Sequence, residues 1–178
     1  IIQHGEVDFR DPRRDKVHGR IWRVTFKDQP LAKKTNFPKL KNPQLLDTLL
    51  TENLYEKRQA RRVLHEKGAA ILPDLVAWTK KQTTDKARLE ALWLHEAINN
   101  VNDKLLRQLL ASNDHRIRAA AARVLNHWAN RIDDSLNAQS MAVADKHPRV
   151  RLEAARGLGT VPEVAAANTA LRVLDQPV

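Results

Sequence analysis

The string Lys57-Arg58-Gln59-Ala60-Arg61-Arg62-Val63-Leu64 returns as Ala87-Arg88-Leu89-Glu90-Ala91-Leu92-Trp93-Leu94, as Arg118-Ala119-Ala120-Ala121-Ala122-Arg123-Val124-Leu125 and as Arg151-Leu152-Glu153-Ala154-Ala155-Arg156-Gly157-Leu158. The closing leucine recurs at 64, 94, 125 and 158. A near-constant period of this length means stacked supersecondary units, none of which buries its apolar face alone. Working outward, short polar turns introduce the two best copies, Asp114-His115-Arg116-Ile117 and Lys146-His147-Pro148-Arg149-Val150. Asp114 is placed as a helix N-cap. Between copies lie shorter amphipathic segments at 43–50, 70–79, 103–111, 135–144 and 162–174. The sequence therefore predicts helix–turn–helix repeated about four and a half times.

This pattern resembles the HEAT-repeat family, whose second helix begins Asp-x-x-Val-Arg and runs on as an Ala-Ala-x-Ala-Leu-like string. The match is good at 114–125 and 147–158 and weaker at 57–64. At 87–94, Glu90 and Trp93 depart from the small-residue pattern. The resemblance implies an all-α solenoid of four to five helix pairs over residues 43–178, with Arg118 and Arg151 in a structural position that pairs with a neighbouring repeat. Pro43 opens the first helix, with Asn42 as its expected cap. Leu45, Leu46, Leu49, Leu50 and Leu54 read as its first apolar layer. The apolar stretch from Val161 to Leu174 is an expected sticky end.

Composition agrees. The chain has 178 residues, only five glycines and 4% aromatic residues. Few glycines leave few positive-φ turns, which disfavours a sheet-rich body. Without cysteine there is no disulfide, thiol nucleophile or Cys-ligated metal. No apolar run approaches the ~18 residues of a membrane span. The chain opens on Ile-Ile-Gln-His, which leads us to expect a piece of a longer protein.

Residues 1–42 have a different grammar. They hold 11 Lys+Arg against 5 Asp+Glu, more than half of the net charge of +10. Asp8-Phe9-Arg10-Asp11-Pro12-Arg13-Arg14-Asp15 reads as a solvated turn. His18 to Phe26 alternates like a strand, with Trp22, Val24 and Phe26 on one face, and residues 27–42 read as a linker. The stretch from Ile2 to Asp15, with Gly19-Arg20-Ile21-Trp22-Arg23-Val24 after it, is similar to the end of the β-propeller in large secreted bacterial proteins of the membrane-bound dehydrogenase and haem-binding family. In that family HEAT repeats and a Cys-x-x-Cys-His haem segment follow a propeller like that of pyrroloquinoline-quinone sugar dehydrogenases. The resemblance implies a spacer and docking module, periplasmic or at the cell surface. It carries no catalytic residue or cofactor onto this chain.

Candidate chemistry is sparse. His4 and His18 near Glu6, Asp8 and Asp15 offer metal ligands, but no compact zinc spacing exists and a solvated loop is the preferred reading. His65, His95 and His127 sit near the ends of second helices, where an imidazolium suits the helix dipole. Asp133, Asp134 and Glu163 suit helix starts. Ser112, Ser135 and Ser140 lie in no nucleophile elbow, and no glycine-rich phosphate loop occurs. The expected partner is therefore a protein, either another domain of the parent chain or an acidic partner. The basic charge keeps nucleic acid open as the alternative, including glycosylase-like duplex binding. For either partner Arg58, Arg88, Arg118 and Arg151 are candidates on the concave second-helix face. Arg10, Arg13, Arg14, Arg20 and Arg23 form a second basic patch.

Overall fold

The computed structural model describes residues 10–12, 17–19, 24–25, 27–28 and 34–176. By its internal contacts the chain divides into Ile1–Thr35 and Asn36–Val178. The second unit is an all-α helical-repeat solenoid: α1 (Asn42–Thr48), α2 (Leu54–Lys67), α3 (Leu72–Lys81), α4 (Asp85–Ala97), α5 (Asp103–Leu110), α6 (His115–Trp128), α7 (Ser135–Val143), α8 (Pro148–Leu158) and α9 (Val164–Leu171). Pairs α1/α2, α3/α4, α5/α6 and α7/α8 are the repeats, and α9 starts a fifth. Second helices stack in the order α2, α4, α6, α8.

Side chains set each second-helix start. The caps are Asn53, Thr84, Asp114 and His147, each accepting a backbone N–H of the first turn. These satisfy donors that the helix geometry leaves unpaired. In three of the four repeats the residue two positions before the cap repeats the device one step earlier. Thr51, Ser112 and Asp145 accept the cap's own N–H at 3.2, 3.3 and 2.8 Å. Asp114 is the cap that the sequence placed there.

Counting from the caps corrects the register of the second copy. The eleventh residue after each cap is Leu64, His95, Leu125 and Leu158, so His95, not Leu94, occupies the leucine position. All four are buried. Burial pushes the His95 pKa below its usual 6.5, partly offset by its hydrogen bond with Asn100. Its ring nitrogens contact Asn100 Oδ1 at 2.9 Å and Asn102 Nδ2 at 3.1 Å. The imidazolium expected against the helix dipole is thus a neutral core group.

Two apolar clusters fill the solenoid and meet at α6. Ala121, Val124, Leu125 and Trp128 face the cluster running from Phe37 to Ala138. Ala119 and Ala122 face the one built on Val143, Val150, Ala154 and Leu158. Small residues on the facing sides of α6 and α8 let the two backbones approach closely. At Gly157 the space of an absent Cβ is filled by the Asn126 carboxamide, whose Nδ2 donates to Glu153 O at 2.7 Å.

Several expectations need correction. The solenoid unit begins at Asn36, ahead of the boundary read at 42/43, because Phe37 is buried in the first cluster. Asn42 lies inside α1 rather than capping it. Its side chain donates to Asp74 Oδ2 and accepts from Lys67 Nζ, both at 2.8 Å, tying α1 to the next two helices. Leu45, Leu46 and Leu49 are fully buried, whereas Leu50 and Leu54 are exposed. Asp134 starts α7 with φ of 58° and makes no side-chain cap, and neither does Glu163 at α9. Val164, Leu171 and Leu174 are exposed at the C-terminal end.

Most of the strand read over 18–26 lies outside the described residues. His18, Gly19, Val24 and Thr25, which are described, belong to no strand. No helix among the described residues is long and apolar enough to cross a membrane.

Candidate functional site: a basic groove on the second helices

The fourth residue after each cap is basic: Lys57, Arg88, Arg118 and Arg151. Its partner explains each one's fate. Arg118 donates from Nε and Nη2 to the Asp145 carboxylate of the following repeat, at 2.7 and 2.9 Å, and from Nη1 to Ser112 O at 2.8 Å. Burial works to raise the Asp145 pKa, but the Arg118 guanidinium and the His147 amide outweigh it, and the carboxyl stays below its usual range. Arg151 donates to Asp145 O at 2.9 Å. In the repeat before, the counterpart of Asp145 is Ser112, which is neutral and short. There Asp85 bridges instead, accepting from Ser112 Oγ at 2.7 Å and from Arg88 Nη1 at 3.1 Å. The Ser112 bond and Arg88 hold Asp85 below its usual pKa against some desolvation.

These contacts remove the expected concave-face set from a common surface. Arg118 and Arg151 are buried, Arg118 bracing its repeat to the next and Arg151 tied to the loop of its own repeat. Arg88 lines a separate recess beside Val76, Lys104 and Gln108. Arg58 is exposed on α2 and lines none of the recesses described here. Of the N-terminal patch, Arg10 is exposed and engaged with a neighbour. Arg13, Arg14, Arg20 and Arg23 lie outside the described residues, as do His4, Glu6, Asp8 and Asp15. Among the described residues no three His, Asp or Glu side chains gather as metal ligands.

A different set does converge. The sixth residue after each cap is Gln59, Glu90, Ala120 and Glu153. Glu90 is buried and salt-bridged to Arg61 and Lys57 of α2. Glu153 is buried and takes a two-pronged pair from Arg123 of α6, Nη2 to Oε1 at 2.6 Å and Nε to Oε2 at 3.2 Å. Arg123 holds the Glu153 carboxyl below its usual pKa, against desolvation. Between these two rungs α6 carries Ala120, and a groove of about 590 Å³ opens there. Its floor is Trp93, Ala119 and Ala120, and Arg116, Arg123 and Arg149 stand around it. Arg61 caps the Trp93 ring from the α2 side, 5.8 Å from its centroid.

Two histidines close one end. The His115 and His147 rings stack with centroids 3.5 Å apart and planes 8° apart. Desolvation, then the neighbouring His115, lowers the His147 pKa, while its Nδ1 accepts from Arg149 N at 3.1 Å. Arg116 pairs with Asp114, which that hydrogen-bonded pair holds at a pKa of about 2. Arg149 has no ion-pair partner among the described residues. Chemically the groove is an anion receiver with an apolar floor. Its one lining carboxylate, Glu153, is kept ionised by a guanidinium and is a poor proton shuttle near neutrality.

A second recess, of about 300 Å³, lies between α5 and α7 and is more apolar, lined by Leu110, Ala138, Met141, Ala142 and Val150. The sequence had a signal for the main groove that the leucine register hid. Counted from the caps, the second position reads Tyr55, Lys86, Arg116 and Arg149, basic in the last three repeats and beside the missing carboxylate rung.

The architecture defines the class: an α-helical repeat solenoid cross-braced between repeats. Within it, residues 102–178 match the HEAT repeats family. No curated protein and no solved structure matches the chain.

Proposed function

We propose that this protein is a non-catalytic interaction scaffold for a protein partner. HEAT repeats generally serve in that way, and the observation that carries the reading here is where the charged side chains go. Along the second helices Arg118, Arg123, Arg151 and Glu90 link one repeat to another or to a loop of their own. Such bracing makes a rigid surface whose unoccupied feature is a groove for recognition rather than a pair of groups poised for proton transfer. The finer form of the proposal follows from the resemblance of residues 2–25. The solenoid separates and docks a dehydrogenase-like propeller and a haem-binding domain in a secreted redox protein, in the periplasm or on the cell surface.

The test is affinity capture with the tagged chain, followed by nuclease treatment and light scattering of the purified complex. A nuclease-resistant complex of fixed stoichiometry is expected. A complex lost to nuclease, with micromolar duplex-DNA binding whose log–log salt slope reflects several phosphates, would replace it with the nucleic-acid reading. Reading the gene on both sides tests the finer form. Propeller blades before Ile1 and a Cys-x-x-Cys-His segment after Val178 support the spacer, and a start and a stop codon at those points remove it.

A further inference from the structure

The groove at α6 has an identity beyond being basic, because it sits where a repeated pattern is interrupted. Glu90 and Glu153 occupy equivalent positions on α4 and α8, each neutralised by an arginine from the preceding second helix. At α6 the equivalent residue is Ala120, so neither the carboxylate nor its bulk is present. What remains is the flank of Trp93 and the methyl groups of Ala119 and Ala120 below a rim of guanidinium groups. An anion placed there meets Arg149, which forms no close ion pair among the described residues and feels Glu153 only through a longer-range attraction, Arg123 holding that carboxylate directly. An apolar group placed there covers Trp93, which is half-buried.

We propose that this groove takes an acidic peptide segment of a protein partner. One apolar side chain lies on the Trp93–Ala119–Ala120 floor, and a flanking carboxylate meets Arg149. The inference rests on the scaffold reading and adds the chemistry of the partner to it. Charge complementarity selects the occupant. Arginine forks match carboxylates two-prong to two-prong, and the Arg123–Glu153 pair already shows that geometry in the groove wall. A nucleic-acid strand fits less well. With Arg116 and Arg123 each held by a carboxylate, the groove keeps one guanidinium outside a close ion pair, which suits a single carboxylate better than a run of phosphates. A strand also gains from several free cations and successive open stacking rings, whereas the rings here are Trp93 and a His115–His147 pair already stacked on each other.

The experiment uses the whole chain and fluorescence anisotropy at ~150 mM salt, a Debye length of about 8 Å. The probes are a short labelled peptide alternating glutamate with leucine, the same peptide with glutamine for glutamate, and an oligothymidylate. Variants are Arg149→Glu on the rim, Ala120→Glu to restore the missing rung, and Arg58→Glu on exposed α2 as the off-groove control, with thermal melts as the check on folding. The glutamate peptide should bind about tenfold more tightly than the glutamine one, and Arg149→Glu should remove about as much. Ala120→Glu should abolish binding, and Arg58→Glu should stay within about twofold. Equal affinity for both peptides, an unaffected Arg149→Glu, or an Arg58→Glu loss as large as that of Arg149→Glu overturns the inference. Tighter binding of the oligothymidylate than of the glutamate peptide also overturns it, in favour of nucleic acid. If a captured partner complex is stoichiometric and indifferent to Arg149→Glu, the scaffold reading stands and the groove assignment alone falls.

Discussion

Replacing Gly157 by alanine sets two physical effects against each other. On helix propensity alone the change stabilises, because a helical glycine costs about 1 kcal/mol relative to alanine. In this structure the new Cβ would stand 1.9 Å from Asn126 Cγ and Oδ1 and 2.3 Å from Nδ2. The carboxamide must swing away. It then gives up its donation to Glu153 O at 2.7 Å and its acceptance from the buried Gln139 Nε2 at 3.2 Å. Two hydrogen bonds at about 1 kcal/mol each, with about 1 kcal/mol more for a buried donor left unpaired, total about 3 kcal/mol. Less the propensity gain, Gly157→Ala should destabilise by about 2 kcal/mol, a fall in Tm of about 6 °C for a chain of this size. The assay is denaturant and thermal unfolding of four proteins: wild type, Gly157→Ala, Asn126→Ala and the double variant. With Asn126 already truncated the clash disappears, and Gly157→Ala should stabilise by about 1 kcal/mol, a coupling of about 3 kcal/mol. A higher Tm for Gly157→Ala alone, or additive effects, would refute the reasoning.

Arg118→Ala should cost about 3 kcal/mol in urea unfolding, because it leaves the largely buried Asp145 carboxylate without its two-pronged partner. Arg118→Lys should recover less than half of that, since an ammonium cannot fork. Leu106→Ala, at a fully buried position on α5, should cost about 3 kcal/mol by cavity formation, measured in the same titration. Acidification should act in two stages. His95 has a lowered folded pKa, so the unfolded chain takes up its proton first and stability falls as pH drops below about 6.5. Asp85, Asp145 and Glu153 also have lowered pKa values, so their contribution is complete above the ordinary carboxylate range and is lost below about pH 4. His95→Leu, which restores the residue found in the other three repeats, should shrink the first stage of Tm-against-pH curves to the part left by His147 and leave the second stage intact.

The sequence determined the helix pairs. A recurring apolar string with polar turns is local information, since spacing decides the buried face and a capping side chain decides where a helix begins. Asp114 caps α6 as the sequence implies, and Arg118 makes the inter-repeat brace that the HEAT resemblance implies, whereas Arg151 bonds the loop of its own repeat. The same locality explains what was misplaced. With leucine as the fixed point of the repeat, Leu94 aligns where His95 stands in the folded chain. A neutral, hydrogen-bonded histidine can fill a leucine site only once Asn100 and Asn102 are folded around it. Asn-Pro suits a helix start and makes Asn42 the expected cap, yet Asp74 and Lys67, distant in sequence, hold it inside the first turn. Arg88 and Arg118 share a position after the cap, and whether the next repeat supplies Ser112 or Asp145 decides what each one pairs with. The groove lies furthest from the linear text. It exists because Ala120 falls between two carboxylate rungs on neighbouring helices, and only stacking the repeats brings Trp93, Arg116 and Arg149 around that gap.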